Sequence, residues 1–393
     1  MAYDRTFDVV IAGGGAVGSA VAYFLKRELG FPGTVALVEP DPTFRRAASM
    51  LSAASIRQQF STPENIRLSR FGLEFLKGLP AEHGPEFDPQ LREGGYLILA
   101  TPEGAPTLAA NHAIQRAEGA EVMLLDREAL GRRFPWLAAA GLGAGSLGLA
   151  GEGWFDAATL LGCLRHGARA AGAAAVTDRI AGIETAGGRI AAVRLGGGEI
   201  VGCGLLVNAA GTAAGALAAL AGRTLPVEPR KRSVFVVDCP AAPEGMPLVA
   251  DPSGVWIRPE GRGFITGYSP PEAEDAAADP EDFEPDHAMF EERLWPALAS
   301  RIPAFETLKV RNAWAGHYDF NTLDQNAVVG PDPEIANLFY ANGFSGHGLQ
   351  HAPGVGRAVA ELIRFGSYRS IDLGLFGFGR IAAGRPVIEA AVI

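Results

Sequence analysis

The sequence predicts a mixed α/β fold built from two interleaved domains, and three observations indicate it. A glycine-rich turn follows an apolar strand and opens a helix near the start of the chain. The alternation of strand and helix then stops after the second strand and resumes much later. Short segments with the alternating pattern of antiparallel strands lie between these stretches. We therefore expect a Rossmann-like parallel domain that is interrupted by a mainly antiparallel domain.

The chain opens with a βαβ unit. Residues 7–12 (FDVVIA) contain an apolar run, residues 16–29 follow a helical pattern, and residues 34–39 (TVALVE) contain a second apolar run. Continuous apolar runs are typical of parallel strands that are buried on both faces. The first strand begins so early that no room is left for a secretory leader, which predicts a cytoplasmic location.

The turn between the first strand and the helix has the spacing G-x-G-x-x-G. Gly13 permits the tight turn, Gly15 lets a pyrophosphate approach the backbone, and Gly18 allows the helix to pack closely on the strand. Ala16 and Val17 follow at the helix amino terminus, where N–H groups and the helix dipole attract phosphates. A glycine triplet alone is weak evidence of a nucleotide site, so the elements around it must show whether it binds a nucleotide.

Glu39 supplies that context, because it ends the second strand and its carboxylate can accept hydrogen bonds from a ribose diol. The sequence therefore predicts a dinucleotide site. A nicotinamide-dependent chain would continue with further βαβ units, whereas this chain breaks off after the second strand. The pattern favours FAD over NAD.

The rest of the chain alternates between the two predicted domains. Other predicted elements are strands at residues 94–101, 205–209, 233–238, 255–258, 263–268 and 338–341, a hairpin at 180–195, and helices at 128–134, 157–171 and 353–365. We expect the nucleotide domain to comprise residues 1–85, 152–225 and 316–393, and the substrate domain to comprise residues 86–151 and 226–315.

Composition limits the classes of function. A net charge of -10 gives no basic surface for a polyanion, so no nucleic-acid partner is expected. Cys163, Cys203 and Cys239 form no C-x-x-C pair, which predicts reduced thiols and no metal site. The most apolar stretch, residues 205–222, is mostly alanine and glycine and predicts no membrane span. An acidic soluble enzyme is expected, and a homo-oligomer is compatible with this composition.

Four stretches along the chain carry a resemblance to a known family. They are residues 55–66 (SIRQQFSTPENI), 314–319 (WAGHYD), 321–326 (NTLDQN) and 343–350 (GFSGHGLQ). The whole chain is similar to the D-amino acid oxidase/sarcosine oxidase (DAO) superfamily, and particularly to its FAD-dependent oxidoreductase domain-containing proteins. This resemblance implies an FAD-binding domain of the glutathione-reductase type with an inserted, mainly antiparallel substrate domain.

The resemblance also implies a set of flavin-binding residues and a noncovalent flavin. His317 stands where sarcosine oxidases carry the cysteine that is bonded to the flavin, and residues 46–52 contain no histidine for the alternative linkage. The residues expected to bind FAD are Gly13, Gly15, Ala16, Val17, Gly18, Glu39, Arg46, Ser49, Met50, Leu51, Ser52, Ile180, Ala210, Gly211, Gly316, Gly343, Ser345, Gly346, His347, Gly348, Leu349 and Gln350.

Arg57 is the best candidate to hold a substrate carboxylate, because a guanidinium binds a carboxylate with two parallel hydrogen bonds. Flavin atoms or a surface carboxylate are its alternative partners. Residues 343–350 precede the helix predicted at 353–365, so their N–H groups and the helix dipole would face the charge that develops on the flavin.

Aromatic and histidine residues, together with Gln350, complete the catalytic candidates. Tyr268 and Trp256, or alternatively Tyr318, would frame the substrate, and ordinary packing in the sheet is the other reading for each. His317 and His347 either act as acid or base near neutral pH or make structural hydrogen bonds.

The resemblance implies oxidation of the C–N bond of a small amino acid or N-alkyl amino acid by hydride transfer to flavin N5. Sarcosine oxidases place an oxygen-activating lysine at the position of Ile265 and a carboxylate-binding lysine at that of Gln350. The absence of both cations favours a dehydrogenase with an unidentified electron acceptor. A peroxide-producing amine oxidase and a flavoprotein assembly factor with little turnover are the alternatives.

Overall fold

The structure is a computed structural model that describes residue 3 and residues 5–390. Within that part of the chain, two eight-stranded sheets and one two-stranded ribbon are present, with helices packed on the sheets. The predicted mixed α/β class is confirmed.

Eighteen strands lie in the described residues. They are β1 (Arg5–Ala12), β2 (Val35–Val38), β3 (Ser55–Ile56), β4 (Tyr96–Ala100), β5 (Val122–Asp126), β6 (Ala144–Gly148), β7 (Gly153–Trp154), β8 (Ala174–Val176), β9 (Ile180–Ala186), β10 (Arg189–Leu195), β11 (Ile200–Asn208), β12 (Val227–Asp238), β13 (Leu248–Ala250), β14 (Val255–Glu260), β15 (Gly263–Tyr268), β16 (Lys309–Asn321), β17 (Val328–Pro331) and β18 (Leu338–Asn342).

Nine α-helices lie in the same residues, and none of the helices there is long and apolar enough to cross a membrane. They are α1 (Ala16–Tyr23), α2 (Pro63–His83), α3 (Ala105–Ala117), α4 (Arg127–Arg133), α5 (Ala157–Ala170), α6 (Ala214–Leu220), α7 (Trp295–Arg301), α8 (Gly348–Phe365) and α9 (Gly379–Ala382). Short π-helical turns at Phe24–Glu28 and Phe290–Leu294 extend α1 and precede α7.

The first sheet has the strand order β17-β18-β11-β1-β2-β8, and the β9–β10 hairpin joins it through β11. Its pairs from β18 to β8 are all parallel. One face packs on α1, α5 and α8, and the other face packs on α6 and the hairpin. The carboxyl ends of β1, β2, β11 and β18 therefore meet at one edge, which is where ligands bind in open parallel sheets.

The second sheet has the order β16-β12-β15-β14-β13-β4-β6-β5 and is antiparallel except where β13 meets β4. Its strands come from two separate stretches, residues 96–148 and 227–321, and its core packs against α4 and α7. Strand β12 pairs with β16 over its whole length. The predicted residue limits of the two domains stay a prediction.

Helix α8 begins earlier than the sequence pattern predicts. The prediction placed its start at Pro353, but the helix begins at Gly348, so Gly348–Gln350 form its first turn and not a free loop. The reason is packing: residues from Leu349 onward are buried against α2, whose Gly72 touches the Gln350 carbonyl. Helix α2 was not predicted at all, because Asn65 and Ser69 interrupt the apolar pattern of its buried side.

Candidate active site

The three glycines after β1 are required for different reasons. Gly13 has φ +101°, and a Cβ there would overlap the Ala209 carbonyl oxygen; a Cβ on Gly18 would overlap the Gly13 carbonyl oxygen. At Gly15 a Cβ would meet only the Ser49 hydroxyl, at 3.5 Å, which is ordinary contact. Protein packing therefore does not require a glycine at position 15. A pyrophosphate that lies against the backbone would require glycine at this position, because a Cβ would keep the phosphates away.

The amino end of α1 offers an anion site at this turn. No side chain caps the helix, and its first turn, with Ala16 and Val17, contains no acidic residue. Glu39, at the end of β2, accepts hydrogen bonds from the backbone N–H groups of Gly14 at 2.8 Å and Asp41 at 3.0 Å. The arrangement leaves N–H groups and the helix dipole for phosphates, and it fixes a carboxylate nearby for a sugar diol.

Neighbouring strand ends complete this cleft. Ala210 lies against the glycine turn, and Gly211 has φ +55° with open space around it. Ile180 packs in one cluster with Val38 and Val176, at the carboxyl ends of β2 and β8. The structure thus gathers the predicted nucleotide-binding positions around one edge of the first sheet.

Residues 46–52 connect this cleft to the second sheet. The Leu51 carbonyl accepts a hydrogen bond from Trp314 Nε1 at 2.9 Å. A Cβ on Gly316 would lie 2.7 Å from Leu51 Cβ, so β16 approaches this segment where glycine is needed. The Ser52 hydroxyl accepts from the backbone N–H of Ala54, and Met50 is partly exposed beside Leu51. The segment is positioned between the two sheets, and its predicted contact with the flavin stays a prediction.

The loop between β18 and α8 has a strained, tightly held backbone. Ser345 has φ +51°, in the left-handed region that non-glycine residues rarely adopt, between Gly343 at +75° and Gly346 at +103°. The buried Asp319 carboxylate accepts hydrogen bonds from Gly343 N at 2.8 Å and Phe344 N at 3.2 Å. Burial raises the pKa of Asp319 to about 6, against these hydrogen bonds. Asp319, which no local sequence pattern identifies, holds this loop.

Arg57 lies where β3 leads towards α2 and is fixed from several sides. Its backbone N–H donates to Gln350 Oε1 at 2.8 Å, and its guanidinium donates to the Gln59 carbonyl and to His347 Nε2, the latter at 3.1 Å. The guanidinium carbon lies 4.1 Å from the centre of the Phe60 ring. Three of the predicted catalytic residues, Arg57, His347 and Gln350, therefore meet.

His347 and the neighbouring His351 are neutral in this environment. Burial is the main reason why the pKa of His347 lies well below its ordinary value, and the charge of Arg57 lowers this pKa further. Burial lowers the pKa of His351 to about 3. A neutral His347 that accepts from Arg57 through Nε2 carries its proton on Nδ1. Of the two predicted roles, the structure favours the structural hydrogen bond: His347 orients Arg57.

Two tyrosines border Arg57 on the remaining sides. The centre of the Tyr96 ring is 5.9 Å from its guanidinium carbon, and the Tyr318 ring packs on Gly346 of the strained loop. Burial raises the pKa of both hydroxyls, and the charge of Arg57 opposes that rise in each case. Tyr318 was a sequence candidate. Tyr96 was missed, because β4 lies in a distant segment of the chain.

A buried carboxylate supports the Arg57 segment from behind. Glu152 is 1% exposed and accepts hydrogen bonds from Gln58 N and Gln59 Nε2, both at 2.6 Å. Burial raises its pKa to about 7, although these hydrogen bonds and the charge of Arg57 lower it. Glu152 therefore anchors the two residues that follow Arg57, although no local sequence pattern identifies it.

The raised pKa of Glu152 predicts a pH-dependent stability. The folded protein binds this proton more tightly than the unfolded chain, so its stabilising contribution is complete below pH 4.5 and is lost as pH rises to about 7. Glu152→Gln should remove a decline on the order of 3 kcal/mol from the urea-unfolding free energy over that interval. As a control, Asp319→Asn should remove the decline in the unfolding free energy over a lower pH interval, between pH 3.8 and about 6. Parallel profiles of Glu152→Gln and wild type would contradict the assignment.

Tyr268 is not brought to this site. It lies on the other face of β15 from Ile265 and Gly267 and packs in the core of the second sheet with Phe235. Trp256 pairs with Gly267 and therefore lies on the opposite face, the one that turns towards residues 46–54. Tyr268 and Trp256 were expected to frame the substrate together, but they project to opposite faces of the sheet, and the structure gives Tyr268 the packing role.

Arg46 and His317 also face away from the cleft. Arg46 is an exposed residue that pairs with Glu281 at 2.5 Å. His317 alternates with Gly316 and Tyr318 along β16, and its ring packs edge-on against Phe283 at 4.7 Å. Burial lowers its pKa. Both residues therefore contact the loop that follows β15.

Ile265 stands directly opposite Arg258 on the neighbouring strand, and both are buried. The Arg258 guanidinium donates to the Ala53 carbonyl at 2.7 and 3.0 Å and forms an ion pair with Glu260. A cation is thus present beside the position of Ile265, but a carboxylate and a carbonyl already occupy its donors.

Comparison with known proteins gives a consistent set of similarities. The family model described as DAO, FAD dependent oxidoreductase, matches residues 8–362. FAD-dependent oxidoreductase domain-containing protein 1 of Bos taurus is 45% identical, and the match covers 98% of this chain and 87% of that protein. The Xenopus laevis protein of the same name is 43% identical, with 98% and 85% covered.

Two solved structures share the fold at 25% sequence identity. L-proline dehydrogenase from P.horikoshii superimposes with a TM-score of 0.85, covering 98% of this chain and all of that one (100%). Glycine oxidase from Geobacillus kaustophilus superimposes with a TM-score of 0.79, covering 95% and 98%.

Proposed function

The chain belongs to the DAO family of FAD-dependent oxidoreductases, and from that membership we propose that it oxidises the C–N bond of an amino acid or N-alkyl amino acid. FAD is its cofactor, as the sequence predicted. Three features fit that cofactor: the room at Gly15, the uncapped amino end of α1, and the carboxylate of Glu39. When bound, FAD supplies the hydride acceptor for the oxidation.

The observation that carries the proposal is the placement of Arg57. Its guanidinium is half-buried among Phe60, Tyr96 and Tyr318, and His347 fixes its direction. A guanidinium that is surrounded by aromatic rings binds a carboxylate more strongly than a guanidinium in water does, because less competing solvent reaches it. This supports a substrate with a carboxylate next to its amine.

The residues around Arg57 divide the remaining tasks. Gln350 and His347 hold the arginine in one direction, so a carboxylate bound to it places the adjacent carbon reproducibly. The aromatic rings exclude water from the substrate. The amino end of α8, which no side chain caps, presents N–H groups and a helix dipole, which favour negative charge on whatever lies against them.

We further propose a noncovalent flavin and a dehydrogenase. His317, at the position of the sarcosine oxidase cysteine, faces Phe283 and not the cleft. Ile265 provides no charge, and the neighbouring Arg258 is tied to Glu260 and to a backbone carbonyl. These contacts support slow reaction with oxygen, because neither Ile265 nor Arg258 offers a free positive charge to the charge that oxygen gains at this position.

An anaerobic screen tests the function. Purified yellow protein is mixed with amino acids and N-alkyl amino acids without oxygen, and the flavin absorbance is followed before and after air is admitted. We expect bleaching by at least one carboxylate-bearing amine and slow recovery in air. Rapid recovery with peroxide would make the protein an oxidase. No bleaching across the panel would contradict the proposal and favour the assembly-factor alternative.

A further inference from the structure

Two arginines of β12 lie on the same face of the second sheet as Tyr318. Arg230 is directly opposite Tyr318 on β16, and Arg232 is opposite Gly316. Residues that face each other across an antiparallel pair project to the same side. This side includes the contact of Tyr318 with Gly346 in the strained loop. Both arginines therefore lie on the side of the sheet where Tyr318 meets this loop.

The two guanidinium groups share one buried carboxylate. Arg232 donates to both Asp275 oxygens, at 2.7 and 2.5 Å, and Arg230 Nε lies 3.8 Å from the same carboxylate. Arg230 also pairs with the half-exposed Glu228 at 2.5 Å. Nevertheless, the buried Nε atoms of both arginines and Nη1 of Arg230 have no well-directed hydrogen bond. Donors exceed acceptors at this place.

Asp275 reaches the arginines from an otherwise exposed loop. Residues 271–274 and 276–277 are all exposed, whereas the Asp275 side chain is only 6% exposed. Among the described residues, only Arg232 donates hydrogen bonds to this carboxylate, so no backbone N–H group holds it in place. Because the loop is polar and Asp275 is its single inserted carboxylate, a carboxylate from solution can take the same position.

Tyr318 connects this place to Arg57. The Arg232 guanidinium carbon lies 5.0 Å from the centre of the Tyr318 ring. The same ring packs on Gly346, and the next residue, His347, is hydrogen-bonded to the Arg57 guanidinium. A substrate with its first carboxylate on Arg57 can therefore extend along Tyr318 towards Arg232.

We propose that Arg230 and Arg232 form a second anion subsite, which takes the distal carboxylate of an amino dicarboxylate substrate in exchange for Asp275. The inference rests on the proposed function, because it assigns the first carboxylate to Arg57. It names the substrate class: an amine or N-alkyl amine that carries two carboxylates. Asp275 occupies the subsite in the free enzyme and leaves it when substrate binds.

Binding of carboxylates that have no amine tests the subsite without turnover. Propionate and butyrate are compared with malonate, succinate and glutarate in titrations of the holoprotein, followed by the change in the visible flavin spectrum. At least one dicarboxylate should bind roughly tenfold more tightly than the monocarboxylates, which is what one added charge-assisted contact supplies. Arg232→Gln should abolish this preference and leave monocarboxylate affinity nearly unchanged.

Two further variants keep the test decisive. Asp275→Asn removes the internal competitor and should strengthen dicarboxylate binding, and it leaves both arginines in place if Arg232→Gln fails to fold. Lys231→Gln is the matched control: it also removes one positive charge from β12, but Lys231 projects to the other face and bonds Asp282. Its preference for dicarboxylates should equal that of wild type.

The outcomes separate this inference from the proposed function. Equal affinity for mono- and dicarboxylates, or a preference that survives Arg232→Gln, overturns the subsite while the bleaching screen still decides C–N oxidation. Loss of FAD from Arg232→Gln at saturating FAD would assign the arginine to the cofactor and also overturn it. Absence of any carboxylate binding overturns the subsite as well, whatever the screen shows.

Discussion

Arg57→Leu should lower kcat/KM for a carboxylate-bearing amine by roughly a hundredfold to a thousandfold, since removing one partner of a buried charge pair costs about 2–5 kcal/mol. Part of that loss should appear in kcat, because the carboxylate contact also orients the carbon that is oxidised. His347 would lose the group to which its Nε2 is bonded. The measurement is anaerobic reduction of the flavin over a range of substrate concentrations.

Two variants separate orientation from charge at this position. Arg57→Lys keeps the charge but loses the two-pronged geometry, so its rate should fall between those of wild type and leucine. Arg67→Leu removes the same charge from the exposed side of α2, where Arg67 pairs with Glu118, and should behave as wild type. If Arg57→Leu retains FAD and full activity, Arg57 does not bind the substrate.

The nucleotide part of the site was predictable from sequence because its determinants are local. The turn at 13–18 and the carboxylate of Glu39 belong to three consecutive elements, so their spacing alone brings them together. Gly13 and Gly18 are required by the packing of the backbone, whereas protein packing does not require Gly15. The glycine at position 15 is therefore the part of the pattern that indicates a ligand. The parallel strands β1, β2, β11 and β18 were identified for the same reason, because each contains a local apolar run, whereas the three-residue strand β8 was missed.

The substrate part was predicted less completely because it depends on contacts between distant segments. Tyr96, Glu152 and Asp319 reach the site through the order of strands in the second sheet and through a loop, neither of which a local pattern specifies. Tyr268 shows the same limit of sequence patterns, because it was predicted at the site but packs in the core of the second sheet. Alternation along β15 groups it with Phe264, but only the packing around the sheet decides which face meets the core.

Ile265→Lys should accelerate reoxidation of the reduced protein by air about a hundredfold, the usual order for one well-placed charged or polar group in a site that excludes water. The wild-type residue is 2% exposed and uncharged. Its neighbour Arg258 donates to the Ala53 carbonyl and pairs with Glu260, so its charge is largely satisfied. A lysine ammonium at position 265 would instead be free to stabilise the charge that oxygen gains.

The control for this substitution is Ile265→Met, which adds similar length without charge and should reoxidise as slowly as wild type. Stopped-flow mixing of the reduced holoproteins with oxygenated buffer gives the rates, and peroxide release reports the product. Equal rates in the lysine and methionine variants would show that charge at this position does not limit the oxygen reaction. Rapid reoxidation of wild type itself would show that Arg258 already supplies enough positive field despite Glu260, and the dehydrogenase assignment would then be wrong.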